Sequence, residues 1–539
     1  MRGNRFRFLV LALALLGAVL YACVLPLWEG FDEPFHYAYV QSLAVSHRFP
    51  AMRESRVSQE IWESLRIVPV SRFLAAAVPG GISFEDWSKL AAEQKRTRSR
   101  ELVSIDPSLR RVPSSLLNYE AQQAPLAYLA LAPFDVLFSK VHVKTRILLL
   151  RVIGAVAAVL LLFAALEKLL QVTEVRGAFA AAALACVFES QMLWASVAHA
   201  GNDFLAVPLT ACFLAWLAAA VRDPSTQNLI VLSIILTCGL LTKAYLLAFV
   251  PVFAALLIFL AIRRLASPRA CSVAVLVLAL AAPWYVRNIS LYGTFSGTQE
   301  SAAGISIANA VAALGRIDWS SNALNFARWS LWTGNWSFLS FSKLVLNAEL
   351  ILLAAAFISF LSQLRRKSTP QIWILIACAC FAFSLLYQTG ATWVYSHGAS
   401  NSPEPWYAEG VIVCLWILCF RGLQHAGWFG RALATGLLVL SAWIALMTYW
   451  AKLLPYYGSG ITRSTASAVW AWWRGHPSSD LSTVVMAPVP LIYLLLVVFS
   501  VALVALAITI AVEVWTATPQ CSPAASPHSR PELPPLRLP

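Results

Sequence analysis

Twelve apolar stretches, nearly free of charge, recur along this chain, at roughly 8–27, 145–166, 178–198, 203–221, 228–242, 244–262, 270–286, 345–363, 371–389, 409–422, 431–450 and 488–512. About 20 such residues span about 30 Å of hydrocarbon as a helix, which satisfies its own backbone where no water is present. The expected fold class is therefore an all-α polytopic membrane protein with about 12 transmembrane helices, 11–13 depending on the borderline segments. Composition agrees: 59% of the 539 residues are hydrophobic and 12% are charged, which no soluble domain tolerates. The net charge of +14 implies no nucleic acid, because much of the basic surplus lies in short loops between apolar runs, where it sets topology.

The opening MRGNRFRF plus apolar run is long enough to span, and no small-x-small site precedes Trp28. It is expected to stay as an uncleaved first helix, with Arg2, Arg5 and Arg7 holding its start in the cytoplasm. A thirteenth apolar run, 124–138, is short and carries Pro125, Pro133 and Asp135. Charge decides its fate. If it does not cross, Arg263/Arg264/Arg269, Arg365/Arg366/Lys367 and Arg421/Arg431 all fall in the cytoplasm; if it crosses, all move outside. The expectation is a helix lying on the outer surface. That choice leaves Lys140, Lys144 and Arg146 outside, where an anionic headgroup or phosphate gives them a partner.

The resulting order is a membrane module over 1–290 with a large outer loop at 28–144, a second outer loop at 291–344, C-terminal helices over 345–515 and a disordered cytoplasmic tail at 516–539. The first loop holds 14 Lys/Arg and 13 of the chain's 26 Asp/Glu, so chemistry is to be sought there. Ten cysteines are present, nearly all within apolar runs and none in the outer loops. That argues against a disulfide framework or a cysteine zinc site.

WEGFDEPFHYAYV, residues 28–40, places Glu29, Asp32, Glu33 and His36 directly after the first helix. Asp32 ahead of Pro34 reads as a helix N-cap, yet a cap needs one acid. Topology brings a second outer turn, AHAGNDF, to the same leaflet, where Asp203 is either a cap or a partner of Asp32. Lys243 interrupts LLTKAYLL between two helices; a snorkelling anchor is the plain reading and an anion contact the functional one. Glu120, Gln122 and Gln123 stand just before the surface helix. Arg287 in PWYVRN is an interface anchor or a phosphate contact. Arg151 and Glu189, inside spans, call for partners and are able to pair with each other. Carboxylates for base or metal work beside cations for a phosphate suit transfer from a lipid-phosphate donor.

FDEPFHYAYV, YEAQQAPLAYL, GND and LTKAYLL, with LWTGNWSFLSF and PEPWYAEG further on, resemble segments of the GT-C superfamily of membrane glycosyltransferases, in particular bacterial relatives of protein O-mannosyltransferases and lipid A aminoarabinose transferases. The resemblance covers most of residues 1–290. It implies a polyprenyl-phosphate-linked sugar as donor, an inverting transfer to an acceptor it does not name, and a multi-pass protein of the bacterial inner membrane with a periplasm-facing site. By that resemblance Asp32, Glu33 and Asp203 are catalytic, and Lys243, Arg146 and Arg287 are expected at the donor phosphate. His36, Glu120 and Tyr407 are expected in the substrate pocket. A divalent metal ion is the one cofactor implied, with Glu120 as its ligand, although Gln122 and Ala124 replace the usual His and Pro. The alternative class is a transporter or flippase of a lipid-linked sugar, which tends to show repeated halves and broken helices at mid-membrane; no repeat is visible here.

Overall fold

The computed structural model of the protein describes residues 2–364, 368–462, 465–475 and 478–516. The cluster Arg365/Arg366/Lys367, Cys521, the tail expected to be disordered, apart from the helical Thr516, and the side chain of Arg2 lie outside the described residues.

Each of the twelve expected stretches is helical. Among the described residues, ten helices are long and apolar enough to cross a membrane. The pair Gly177–Glu189 and Gln191–Val197, bent by 58°, reaches membrane length only when taken as one broken span. The bend has a local cause: Ser190 is extended, and its Oγ accepts from Leu193 N at 3.3 Å, starting a new helix instead of continuing the old one. The twelfth, Thr226–Leu240, has 15 residues.

Ion pairs sort the helix ends. Arg222, closing Asp203–Arg222, meets Glu174 at 3.2 Å, and Arg7 meets Glu167 at 2.8 Å on the same side. At the other end of Asp203–Arg222, Asp203 meets Lys243. A helix of 20 residues is about 30 Å long, so these pairs mark opposite faces. Thr226–Leu240 links them and therefore crosses, short as it is.

Leu126–Leu137, the segment whose crossing was in question, is a 12-residue helix containing Pro133. Both its ends stay on the Asp203–Lys243 face. Leu126 N donates to Leu241 O at 2.8 Å, and Asp135 is held by Tyr37 at 2.8 Å and by Arg110. It does not cross, as charge distribution required.

The loop 28–144 is a small folded layer. Helices Glu33–Gln41, Gln59–Ile67, Arg72–Ala77, Phe84–Ser88 and Ala92–Ser104 surround two short ladders. Arg56–Ser58 pairs antiparallel with Pro113–Leu117, and Pro69–Val70 pairs parallel with Ile82–Ser83. Buried polar links bolt this layer to the bundle: Trp28 Nε1 donates to Ser64 Oγ at 3.0 Å, and Arg146 meets Glu60 at 2.6 Å. The first helix, Arg2–Val24, packs against Val143–Thr173, Gly177–Glu189 and the last helix, Val489–Thr516.

Candidate functional site

Asp32 occupies the N-cap position of Glu33–Gln41, but the cap reading fails. Its backbone is left-handed (φ 53°) and its side chain caps nothing. Instead Tyr119 donates a hydrogen bond to Asp32 Oδ1. A second non-glycine residue of the same turn, Trp28, also has positive φ (67°). Such geometry costs of order 1–3 kcal/mol per residue and persists only where neighbours over-determine it. Here those neighbours are Ser64 on Trp28 and Arg151 on Glu33.

Glu33 is fully buried and paired to Arg151 through two bonds, 2.7 and 2.5 Å, while Ala200 N donates to its Oε1 at 2.9 Å. Arg151 also donates to Leu25 O and Pro26 O, at 2.5 and 2.7 Å. Burial pushes the Glu33 carboxyl up, but Arg151 outweighs it, leaving the group below its ordinary range. The sequence left open an Arg151–Glu189 pair, and this corrects it: Arg151 is spent on Glu33, and Glu189 Oε2 has no hydrogen-bond partner. Glu33 thus fastens the Asp32 turn to the second span.

The AHAGNDF turn closes over this pair. Its N-cap is Asn202, not Asp203, which lies in the first helical turn. Gly201 leaves room for two imidazoles: a Cβ there would lie 2.8 Å from His199 Cδ2 and 3.2 Å from His36 Cδ2. Asp203 is buried and holds Lys243 Nζ at 2.6 Å. Lys243 Nζ also lies 4.9 Å from the centre of the Tyr407 ring and 5.4 Å from that of Tyr245, a cationic head steadied by two aromatic faces. It is buried and paired, so a snorkelling anchor does not describe it.

Glu120 comes to the same place through the Leu126–Leu241 link. Gln123 Nε2 donates to its Oε2 at 2.7 Å, and His36 Nδ1 is 4.0 Å away, itself bonded to Tyr128 Oη at 2.8 Å. Burial raises the Asp32 carboxyl, with Asp203 adding to it while Tyr119 and Lys243 oppose. Burial and then the charge of Asp32 push Glu120 up to about 8. Burial, then Lys243, holds His36 well below its ordinary range, hence neutral. Asp32, Glu120, Asp203 and Lys243 therefore feel one another's charge and form one electrostatic unit.

A cavity of about 680 Å³ opens from Glu120, Gln123, Lys243 and Tyr407. Its other walls are Leu247, Trp284, Phe381 and Leu385, from three membrane-length helices. Its lining thus joins charged and polar side chains to apolar ones carried by membrane-length helices.

Not every expected residue arrives there. Arg146, expected at a phosphate, is fully buried between Glu60 (2.6 Å) and Asp135 (4.0 Å). Two carboxylates buried in the loop layer needed a counter-charge, and Arg146 supplies it. Arg287, also expected at a phosphate, does not line the cavity: it donates to Pro50 O at 2.8 Å and lies 4.6 Å over Trp284, which does. Three residues not singled out in sequence do belong. Tyr119 holds Asp32. Glu404, pushed up to about 7 by burial and then by Asp32, stands near that carboxylate. Glu300 lines the cavity and accepts from Gln388 at 2.9 Å. Tyr119 and Glu404 lie within YEAQQ and PEPWY, so those motifs pointed to them; Glu300 lies in no motif. Among the described residues, no three His, Cys, Asp or Glu side chains are grouped so as to hold a metal ion.

No family model matches the sequence, and no curated protein matches it. Among solved structures, the crystal structure of ArnT from Cupriavidus metallidurans in the apo state is similar over 84% of this chain and 74% of that chain, at 14% identity and a TM-score of 0.37. A likeness that loose assigns no residue a role.

Proposed function

We propose that this chain is a membrane glycosyltransferase that moves a sugar from a polyprenyl-phosphate carrier to an acceptor at the membrane surface. The observation that carries the reading is the cavity's mixed lining, charged side chains together with apolar ones from membrane-length helices. Lys243, fixed by Asp203, lines the cavity together with Glu120, Asp32 feels the charge of Lys243 from just outside the lining, and the apolar walls belong to spanning helices. A phosphate needs the cation, an isoprenoid tail needs the apolar walls, and an attacking hydroxyl needs a base.

In the proposed step, the acceptor oxygen bonds to the anomeric carbon as the bond from that carbon to the phosphate oxygen breaks. The electron pair leaves on the polyprenyl phosphate, whose growing charge faces Lys243. The hydroxyl proton passes to Asp32, which Tyr119 releases as substrate enters. By charge distribution the site faces the periplasm of a bacterial inner membrane, with the N-terminus in the cytoplasm.

The test is mass spectrometry of envelope glycolipids, polymers and proteins from cells with the chain, without it, or with Asp32→Asn alone. One sugar missing from one acceptor in both altered strains supports the reading. An unchanged acceptor profile in all three overturns it.

A further inference from the structure

A second hollow, of about 420 Å³, lies on the far side of the Asp32 turn, its lining including Arg72, Phe73, Glu85, Trp336, Phe338 and Tyr456. It shares no lining residue with the 680 Å³ cavity. The turn and its helix stand between the two. The Phe31 ring, next to Asp32, is 6.3 Å from that of Phe338, and the Phe35 ring is 4.1 Å from Tyr119 on one side and 6.4 Å from Trp336 on the other.

The chemistry of the lining is specific. Phe73 and Phe338 are 66% and 49% exposed, and Phe73 sits 6.3 Å from the buried Trp336. Between the rings, Arg72 Nε meets Glu85 Oε1 at 3.0 Å, and Tyr456 donates to the same oxygen at 3.5 Å. A neighbouring hollow of about 390 Å³ shares Arg72 and Glu85 and carries the exposed pair Lys89–Asp86 at 2.7 Å. That rim is wet, so the rings do not face lipid tails. Arg72 and Lys89 each already have a carboxylate, which leaves no free positive charge for a phosphate headgroup. What remains is a set of aromatic faces flanked by ion pairs that offer both donors and acceptors. Rings with apolar C–H faces and hydroxyl edges match that pattern.

We propose that this double hollow binds the carbohydrate portion of the acceptor, with sugar rings on Phe73 and Phe338 and their hydroxyls on the Arg72–Glu85 pair. The acceptor then reaches the Asp32 turn from the side opposite the lipid-phosphate donor. This rests on the glycosyltransferase reading.

The experiment places a benzophenone amino acid at position 73 and, separately, at position 338 of the full-length protein in living cells. After irradiation the adducts are identified by mass spectrometry. Carbohydrate-bearing adducts at both positions support the proposal; phospholipid adducts alone, protein adducts alone or none overturn it. Phe73→Ala and Arg72→Ala, at exposed side chains, are expected to raise the acceptor KM about tenfold and leave the donor KM unchanged. An unchanged acceptor KM in both also overturns it. Asp32→Asn is expected to keep the adduct while losing transfer. Transfer that survives Asp32→Asn removes Asp32 as the base instead, whatever the adducts are.

Discussion

Asp32 holds a backbone conformation that few side chains adopt, and its carboxylate points away from the helix it begins. On the proposed function, that arrangement serves reactivity at the expense of local stability. Asp32→Asn is expected to lower transfer by about 10²- to 10⁴-fold with gel filtration and melting unchanged; normal turnover would remove it as the base. As the proposed base Asp32 would work ionised, and burial raises its pKa, so activity should fall as pH drops through a value above the ordinary Asp value. Lys243 opposes that rise. In Lys243→Met the acid limb of the pH profile should therefore move to higher pH, and the donor KM should rise. A limb that stays in place would separate Lys243 from Asp32. Glu29 titrates too, but for structure. It is fully buried, its Oε1 accepts from Ser337 N at 2.9 Å, and burial pushes it from 4.5 up to about 8. A raised carboxyl adds stability that is complete below the unfolded value and lost as pH rises through the folded one. The wild type should melt lower at pH 9 than at pH 6, a loss on the order of a few kcal/mol at most per raised carboxyl, and Glu29→Gln should remove Glu29's share of that slope and leave that of Glu120.

At the scale of elements, the turn between the first helix and Glu33–Gln41 depends on one ion pair. Arg151→Met leaves Glu33 buried without a counter-charge, at a cost of about 3–5 kcal/mol. The variant is expected to melt low or fail to accumulate, and adding Glu33→Leu should restore much of the loss. A melting curve of Arg151→Met that matches wild type would mean Glu33 is not an anchor. The motif FDEPFH made Asp32 and Glu33 look equivalent in sequence, because adjacent acids in one turn carry the same residue-level signal. What separates them is the direction each side chain takes, and that is set by Arg151, 118 positions away. Arg146 misled for the same reason: its loop placement suggested a free cation, while Glu60 and Asp135 are brought to it only by tertiary folding. That Asp203 and Lys243 come to one face was legible, because each lies at a helix end whose face follows from counting crossings.

For the whole molecule, the apolar runs were enough to read an all-α bundle of about this many membrane-length helices, since both follow from the cost of placing polar groups in lipid. The folded layer of 28–144 was not legible in the same way. Its short strands and helices are held by long-range pairs such as Arg56–Ser58 with Pro113–Leu117. The crossing pattern makes its own prediction. Single cysteines at exposed positions 265 and 338, in an otherwise cysteine-free protein, should react with a membrane-impermeant thiol reagent from opposite sides, position 338 from the periplasm. Labelling of both from one side would break this order of crossings.

The last helix lies along the first: a Cβ at Gly17 would be 3.2 Å from Phe499, and Met486 N donates to Cys23 O at 3.0 Å. During translation the helix leading into Asp32 emerges early, yet this flank stays bare until residues 489–516 leave the ribosome. Nascent chains cut short anywhere upstream would share one defect, an unclad opening helix, so premature stops across several hundred codons should converge on a single fate of proteolytic disposal.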